Sequence, residues 1–473
     1  MKENSSAAED PTQRFRWRWF IVAGCLLVIL IAVLLPRQRE PRNEHVVSTN
    51  TLGESSVASA SAAARARRFA RASGSAAAPA ATAEEIVTGK LNQFARHRRE
   101  LVHALARHYK VEVPAEVEQF FDAVEARRWD VMQALYEGLR ERRMSESGSE
   151  GLGKLWPAIV ETLGVAEAVK KWPSQKLLDY GNSILDSLRP GMVYVGGNDA
   201  GRFIPTLLNE TSEGEHHIIV TQNAFADASY LEYADFLYKD RLGTLTREDS
   251  QRVFQDYISD AQKRFRHDQE FPNEPKQLRP GEDVQMIDGR TQVSGHIAVM
   301  AINEKLLRAL MEKNPDASFA IAQSFPFTSM YGDARPLGPI MELRVQDEQN
   351  ALTRERAAQS VDYWRTTAQQ VFSDPGAVVG EGLRMTYSKM VAEQAALLLH
   401  HGYTAEAEQA FGIATEIGPA SPEAVFRYVS LLVEQKRFDE AIHVTETAVN
   451  ADAGNQHQFR NLADELNRMK TRK

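Results

Sequence analysis

Hydrophobic positions along the 473-residue chain change their period several times, and each change predicts an element. Trp19 to Leu35 is a run of 17 residues without a charge, bounded by Arg18 and by Pro36-Arg37. That is at the short end of the length needed to span hydrocarbon as a helix. Phe15, Trp17, Trp19 and Phe20 cluster at its start, where amphipathic rings suit a headgroup interface. A secretory signal would have a shorter apolar core ending at small residues. This run ends in LLPRQRE, so residues 1–36 are expected to be a short tail and an uncleaved single-pass transmembrane helix.

Residues 37–83 lose the large apolar side chains and become an Ala, Ser and Arg mixture with little to bury, the composition of a disordered linker. At Thr82 the sequence TAEE offers a capping box, and Ile86, Leu91, Phe94, Leu101, Val102 and Leu105 follow at helical spacing. Further helices are expected near Pro114 and Trp129, making 84–146 a helical unit. Trp156-Pro157 and Trp172-Pro173 each read as a helix start with proline in the first turn.

The period then shortens. Met192 to Val195 and His217 to Thr221 are β-prone runs, each followed by a polar loop and a helix, the order expected of a parallel α/β unit. A polar helix is expected from Thr246 to His267, and Asp288-Gly289 predicts a tight hairpin within VQMIDGRTQV. A helix from His296 to Glu312 and strands at Phe319 to Gln323 and Ile340 to Val345 complete a predicted α/β domain with a mixed sheet over 147–376.

From Ser388 the chain is helical and shows a 34-residue shift: Glu406-Ala407 recurs as Glu440-Ala441, and Ala414 as Ala448. This predicts all-α tetratricopeptide-like repeats over 377–473, with a capping helix from Gln456 to Lys470. Ala395, Ala407, Phe411, Ala414 and Pro419 are the packing positions of the first unit, and Val429, Leu432, Ala441 and Ala448 those of the second. Thr445 and Ala453 replace Phe411 and Pro419, so the second unit is degenerate. The segment VEARRWDVMQALYE aligns with VEQKRFDEAIHVTE, which makes the first helical unit a degenerate echo of the same pattern.

Charge refines this picture. The formal net charge is -8, yet the stretch from Arg37 to Lys110 is basic and the body that follows is strongly acidic. Nucleic-acid binding is therefore not expected of the body. Arginines flank the hydrophobic run on both sides, and the expected orientation leaves the short tail inside and the folded part outside the cytoplasm. The single cysteine, Cys25, lies in the hydrophobic run, which excludes disulfides within the chain and a cysteine nucleophile elsewhere.

Candidate chemistry concentrates beyond the first two strands, where loops and helix starts converge in an α/β sheet. The first loop offers Asn198, Asp199 and Arg202 and the second Gln222, Asn223 and Asp227. GGNDAG lacks the glycine spacing of a dinucleotide fingerprint, and no catalytic motif stands out, so neither a cofactor nor a specific reaction is expected. Asp199 and Asp227 read either as an acid/base or cation-holding pair or as helix caps.

The stretches PGMVYVGGNDAGRFIPTLL, VTQNAFADASYLEY, FPNEPKQLRPGEDV and GRTQVSGHIAVMAIN resemble uncharacterised bacterial proteins of the Verrucomicrobia type that join a membrane segment to tetratricopeptide repeats. More distantly, the strand, GGND loop and helix resemble the extramembrane domain of multi-spanning glycosyltransferase-like proteins, here without the spans that carry catalysis. The resemblance implies a non-catalytic relative of that domain. Two functions follow as expectations. One is a membrane-tethered scaffold of the bacterial cell envelope, binding a protein partner through its C-terminal repeats. The other is an α/β domain that binds or acts on a polar, sugar-type substrate.

Overall fold

A computed structural model describes residues 81–144, 149–197, 199–279, 281–287, 290–322, 328–343, 351–373, 380–451 and 456–471. The predicted span Trp19 to Leu35, with Cys25 and nearly all of the linker, lies outside the described residues. Among those that are described, no helix is long and apolar enough to cross a membrane. The expectation of a single-pass membrane protein with an extracytoplasmic body is corrected accordingly.

The fold class also needs correction, because the described residues are 72% helical, with 15 helices and only a small mixed sheet among them. The first five helices are α1 (Ala83–Tyr109), α2 (Ala115–Glu125), α3 (Trp129–Met144), α4 (Ser149–Lys171) and α5 (Ser174–Leu185). The capping box forms at the start of α1, where Thr82 and Glu85 satisfy each other's backbone N–H groups. Pro157 does not start a helix as its Trp-Pro context suggested; it lies inside α4. An interior proline costs about 3 kcal/mol. Burial of Leu155, Trp156, Ala158 and Ile159 on several sides of α4 offsets that cost. Pro173, by contrast, stands at the N-cap of α5.

The central elements are β1 (Val193–Gly196), α6 (Asp199–Glu210), β2 (Ile218–Thr221), α7 (Ala228–Tyr238), α8 (Arg247–Glu270), β3 (Asp283–Ile287), β4 (Arg290–Ser294), α9 (His296–Lys313), β5 (Phe319–Ile321), β6 (Arg335–Leu337) and β7 (Ile340–Glu342). Strands of three to five residues explain why the sheet is small. The order is β2-β1-β5-β7-β6. β1 runs parallel to both β2 and β5, with Val193 opposite Ile218 on one side and Phe319 on the other. β7 is antiparallel to β5 and β6. β3 and β4 pair antiparallel as a separate hairpin packed on α8 and α9.

A buried ionic cluster joins α1, α4, α6 and α7. Arg98 is 4% exposed, lies 2.9 Å from Glu161, and is also paired with Glu210. The Tyr233 hydroxyl donates to Glu161 at 2.7 Å, and Arg98 sits 4.6 Å over the Phe94 ring.

The C-terminal helices are α10 (Arg354–Phe372), α11 (Glu381–His400), α12 (Thr404–Ile417), α13 (Pro422–Glu434), α14 (Phe438–Ala451) and α15 (Gln456–Thr471). Ala395, Ala407, Phe411, Ala414, Val429, Leu432, Ala441 and Ala448 are buried between them, and Pro419 lies in the α12–α13 turn. Thr445 is buried too, its hydroxyl donating to the Ala441 carbonyl at 2.8 Å. This helical content fits a repeat fold only loosely, so the tetratricopeptide assignment is corrected to a stack of helical hairpins.

Two turns of this stack and the α2–α3 turn share one geometry. Arg127, Lys436 and Gly402 have positive φ, and the following N–H reaches back to Ala123, Leu432 and Leu398 respectively. That six-to-one bond is the Schellman closure of a helix. The stack does not hang free of the sheet. Gln394 of α11, 1% exposed, donates to the Gly338 and Ile340 carbonyls at 2.9 and 3.1 Å. It accepts from Ser360 at 2.7 Å and from the Trp364 indole at 2.9 Å.

Candidate functional site

β1 lies between two parallel neighbours reached in opposite directions. From β1 the chain passes through α6 to β2 on one side, then returns through α7, α8, the hairpin and α9 to β5 on the other. That reversal makes β1 a topological switch point, and in α/β sheets ligands are held beyond the carboxyl ends of the strands at such a point.

Gly196 closes the first loop. A Cβ there would stand 2.9 Å from the Arg202 Cα, so only glycine lets α6 start this close to the strand end. Substitution Gly196→Ala is expected to destabilise the protein by about 1–3 kcal/mol through this overpacking. Urea denaturation measures it, and a neutral result would mean that the loop yields freely.

Pro205 inside α6 has no N–H, so the Gly201 carbonyl loses its usual helical partner. The Tyr194 hydroxyl, buried on β1, donates to that carbonyl at 2.5 Å. Burial pushes the Tyr194 phenol well above its ordinary range, which keeps it a donor. Strand and helix start are thereby locked together at the edge.

Of the six residues singled out in the sequence, Asn198 lies outside the described residues. Asp199 is exposed in the first turn of α6. Arg202, one turn later, is half-buried, stacks 4.4 Å over Phe203, and keeps a buried Nε with no hydrogen-bond partner among the described residues. Gln222 is fully buried in a 3-10 turn, Gln222–Ala224, that continues β2. The exposed Asn223 amide donates to the Gly197 carbonyl at 3.2 Å and so ties the second loop to the first. Asp227 caps α7, accepting from the Ser229 N–H and hydroxyl at 2.8 and 2.6 Å, and is 3.4 Å from Arg143.

The structure therefore brings the two loops together through Asn223 but commits Asp227 to capping. Among the described residues no group of three His, Cys, Asp or Glu side chains is placed to hold a metal ion. No family model matches the chain, nor does any curated protein or solved structure. The strand edge itself carries backbone dipoles, amides and one guanidinium.

One feature of this edge was not anticipated in the sequence. Asn303 on α9, 3% exposed, keeps a buried Oδ1 without a donor among the described residues; α9 packs against the 3-10 turn. A lone asparagine in an apolar helical pattern was the available signal. Elsewhere, at the end of α11, His401 lies 2.6 Å from the Tyr331 carbonyl, and the exposed His400 ring stands 5.7 Å edge-on to Tyr331.

Proposed function

We propose that the sheet and its flanking helices form a small-molecule-binding unit for a polar ligand, sugars being the first class to test. The ligand is placed at the carboxyl edge of β1 by the loops around Asp199 to Arg202 and Gln222 to Asn223. The observation that carries this reading is the parallel β2-β1-β5 trio with its reversal at β1, the place where α/β sheets hold ligands. Binding, with no chemical step, is what the arrangement of side chains supports.

The expectation of a scaffold has weaker support. None of the strongly exposed large apolar side chains among the described residues lies in 380–471, so that stack offers no apolar anchor of the kind that dominates protein interfaces.

A thermal-shift screen of sugars, sugar acids and other polar metabolites tests the reading. A ligand present at a hundredfold its Kd stabilises by about 2.7 kcal/mol, a shift of several degrees. Arg202→Ala is expected to abolish that shift while leaving the unliganded melt close to wild type. Identical shifts in both proteins for every ligand would remove this edge as the site.

A further inference from the structure

A second place in the molecule gathers several hydrogen-bond donors that have no acceptor among the described residues. Between the start of α7 and the first turns of α8 lies an open cleft of about 420 Å³. None of its lining residues belongs to the strand-edge set, so its test stands apart from that of the proposed function.

Ala226 and Ala228 border this cleft, and their backbone N–H groups make no hydrogen bond among the described residues. Both sit at the N-terminal end of α7, where the helix dipole favours negative charge. Across the cleft, Arg247, Gln251 and Gln255 follow one another at intervals of four on α8 and therefore share one face. Arg247 has no carboxylate partner, and neither glutamine has a hydrogen-bond partner, among the described residues.

Ser250 is the deciding residue. It is 7% exposed and lines the cleft. A buried helical serine ordinarily returns its hydroxyl to the carbonyl four residues back. The Ser250 hydroxyl makes no hydrogen bond among the described residues. Of the carboxylates close in sequence, Asp227 is engaged by Ser229 and Arg143 and Asp249 by Arg252 and Lys313, while Glu248 does not line the cleft.

We propose that this cleft is an anion site that takes the phosphate group of a small phosphorylated metabolite. A phosphate offers enough acceptor oxygens for the two backbone N–H groups, the guanidinium, the hydroxyl and an amide at once. Phe254 on the wall of the cleft gives an apolar surface for the organic part.

Isothermal titration of the full chain with inorganic phosphate, at ionic strength held constant with sodium chloride, is the test. Saturable binding is expected in the wild type. Arg247→Ala should weaken it about tenfold, the loss of one charge-assisted contact, and Ser250→Ala should weaken it by a smaller factor. Lys263→Ala, which removes a charge from α8 outside the cleft, should leave it unchanged. Arg247 has no partner to lose, so its variant should melt like the wild type without phosphate. Absence of saturable binding, equal affinity in Arg247→Ala, or an equal loss in Lys263→Ala overturns the proposal. None of these outcomes bears on the Arg202 test at the strand edge.

Discussion

Arg98→Ala is expected to lower unfolding stability by about 3–5 kcal/mol, the usual cost of breaking a buried ion pair from one side. The guanidinium is shared between Glu161 and Glu210, and its removal leaves two largely buried carboxylates without their cation. Burial pushes the Glu210 carboxyl above its ordinary range even with Arg98 pulling it down. A carboxyl raised in the folded state opposes folding at neutral pH and stops doing so once both states are protonated. The deficit of the variant should therefore shrink as pH falls through the raised Glu210 value toward the ordinary carboxyl range. Urea unfolding at neutral and acidic pH measures both effects. A loss under about 1 kcal/mol would show that the cluster is not a stabilising centre.

The second large effect concerns the C-terminal stack. A chain ending after residue 380, which lacks the helical stack, is expected to lose cooperative folding of the sheet as well. Gln394 satisfies four groups at once, two carbonyls at the β6–β7 turn and two donors on α10. Close by, Tyr331, in the 3-10 segment Thr328–Asp333, donates to Glu393 at 2.8 Å, and Arg427 of α13 pairs with Glu393 at 2.9 Å. Trp364 is fully buried under this arrangement.

The substitution Gln394→Leu tests the point without truncation. It keeps the volume but leaves buried donors and acceptors unmade at about 1–3 kcal/mol each, for an expected loss of roughly 3 kcal/mol. Denaturation followed by circular dichroism, with limited proteolysis of the shortened chain, reads both. A truncated chain that melts at the wild-type temperature would sink the idea. The practical consequence is that partner binding should be examined with point variants on α13 to α15, since deletion of the stack disturbs the sheet too.

Much of the local structure was legible in the chain because local signals encode it. The Thr82–Glu85 and Thr246–Asp249 boxes start α1 and α8, the Asp-Gly pair falls between β3 and β4, and the aligned VEARRW and VEQKRF segments share one turn. Trp156-Pro157 misled because a proline is read from its neighbours in sequence, whereas α4 tolerates it through contacts made by other helices. The candidate loops were found from their glycines and amides. The roles of their residues were not, since Asp227 as a cap and Tyr194 as a substitute donor depend on partners that only folding supplies.

The sequence by itself determined where most helices begin, Trp156-Pro157 apart, and which loops are rich in polar groups, because these follow from periodicity and capping within a few residues. Tertiary structure alone decided that β5 lies against β1 across more than a hundred residues, that Arg98 is buried among carboxylates, that α11 clamps the sheet, and that Ala226 and Ala228 face Arg247 and Ser250 across a cleft. Those are long-range pairings, selected by the burial of whole faces against one another, and no local pattern specifies which faces will meet.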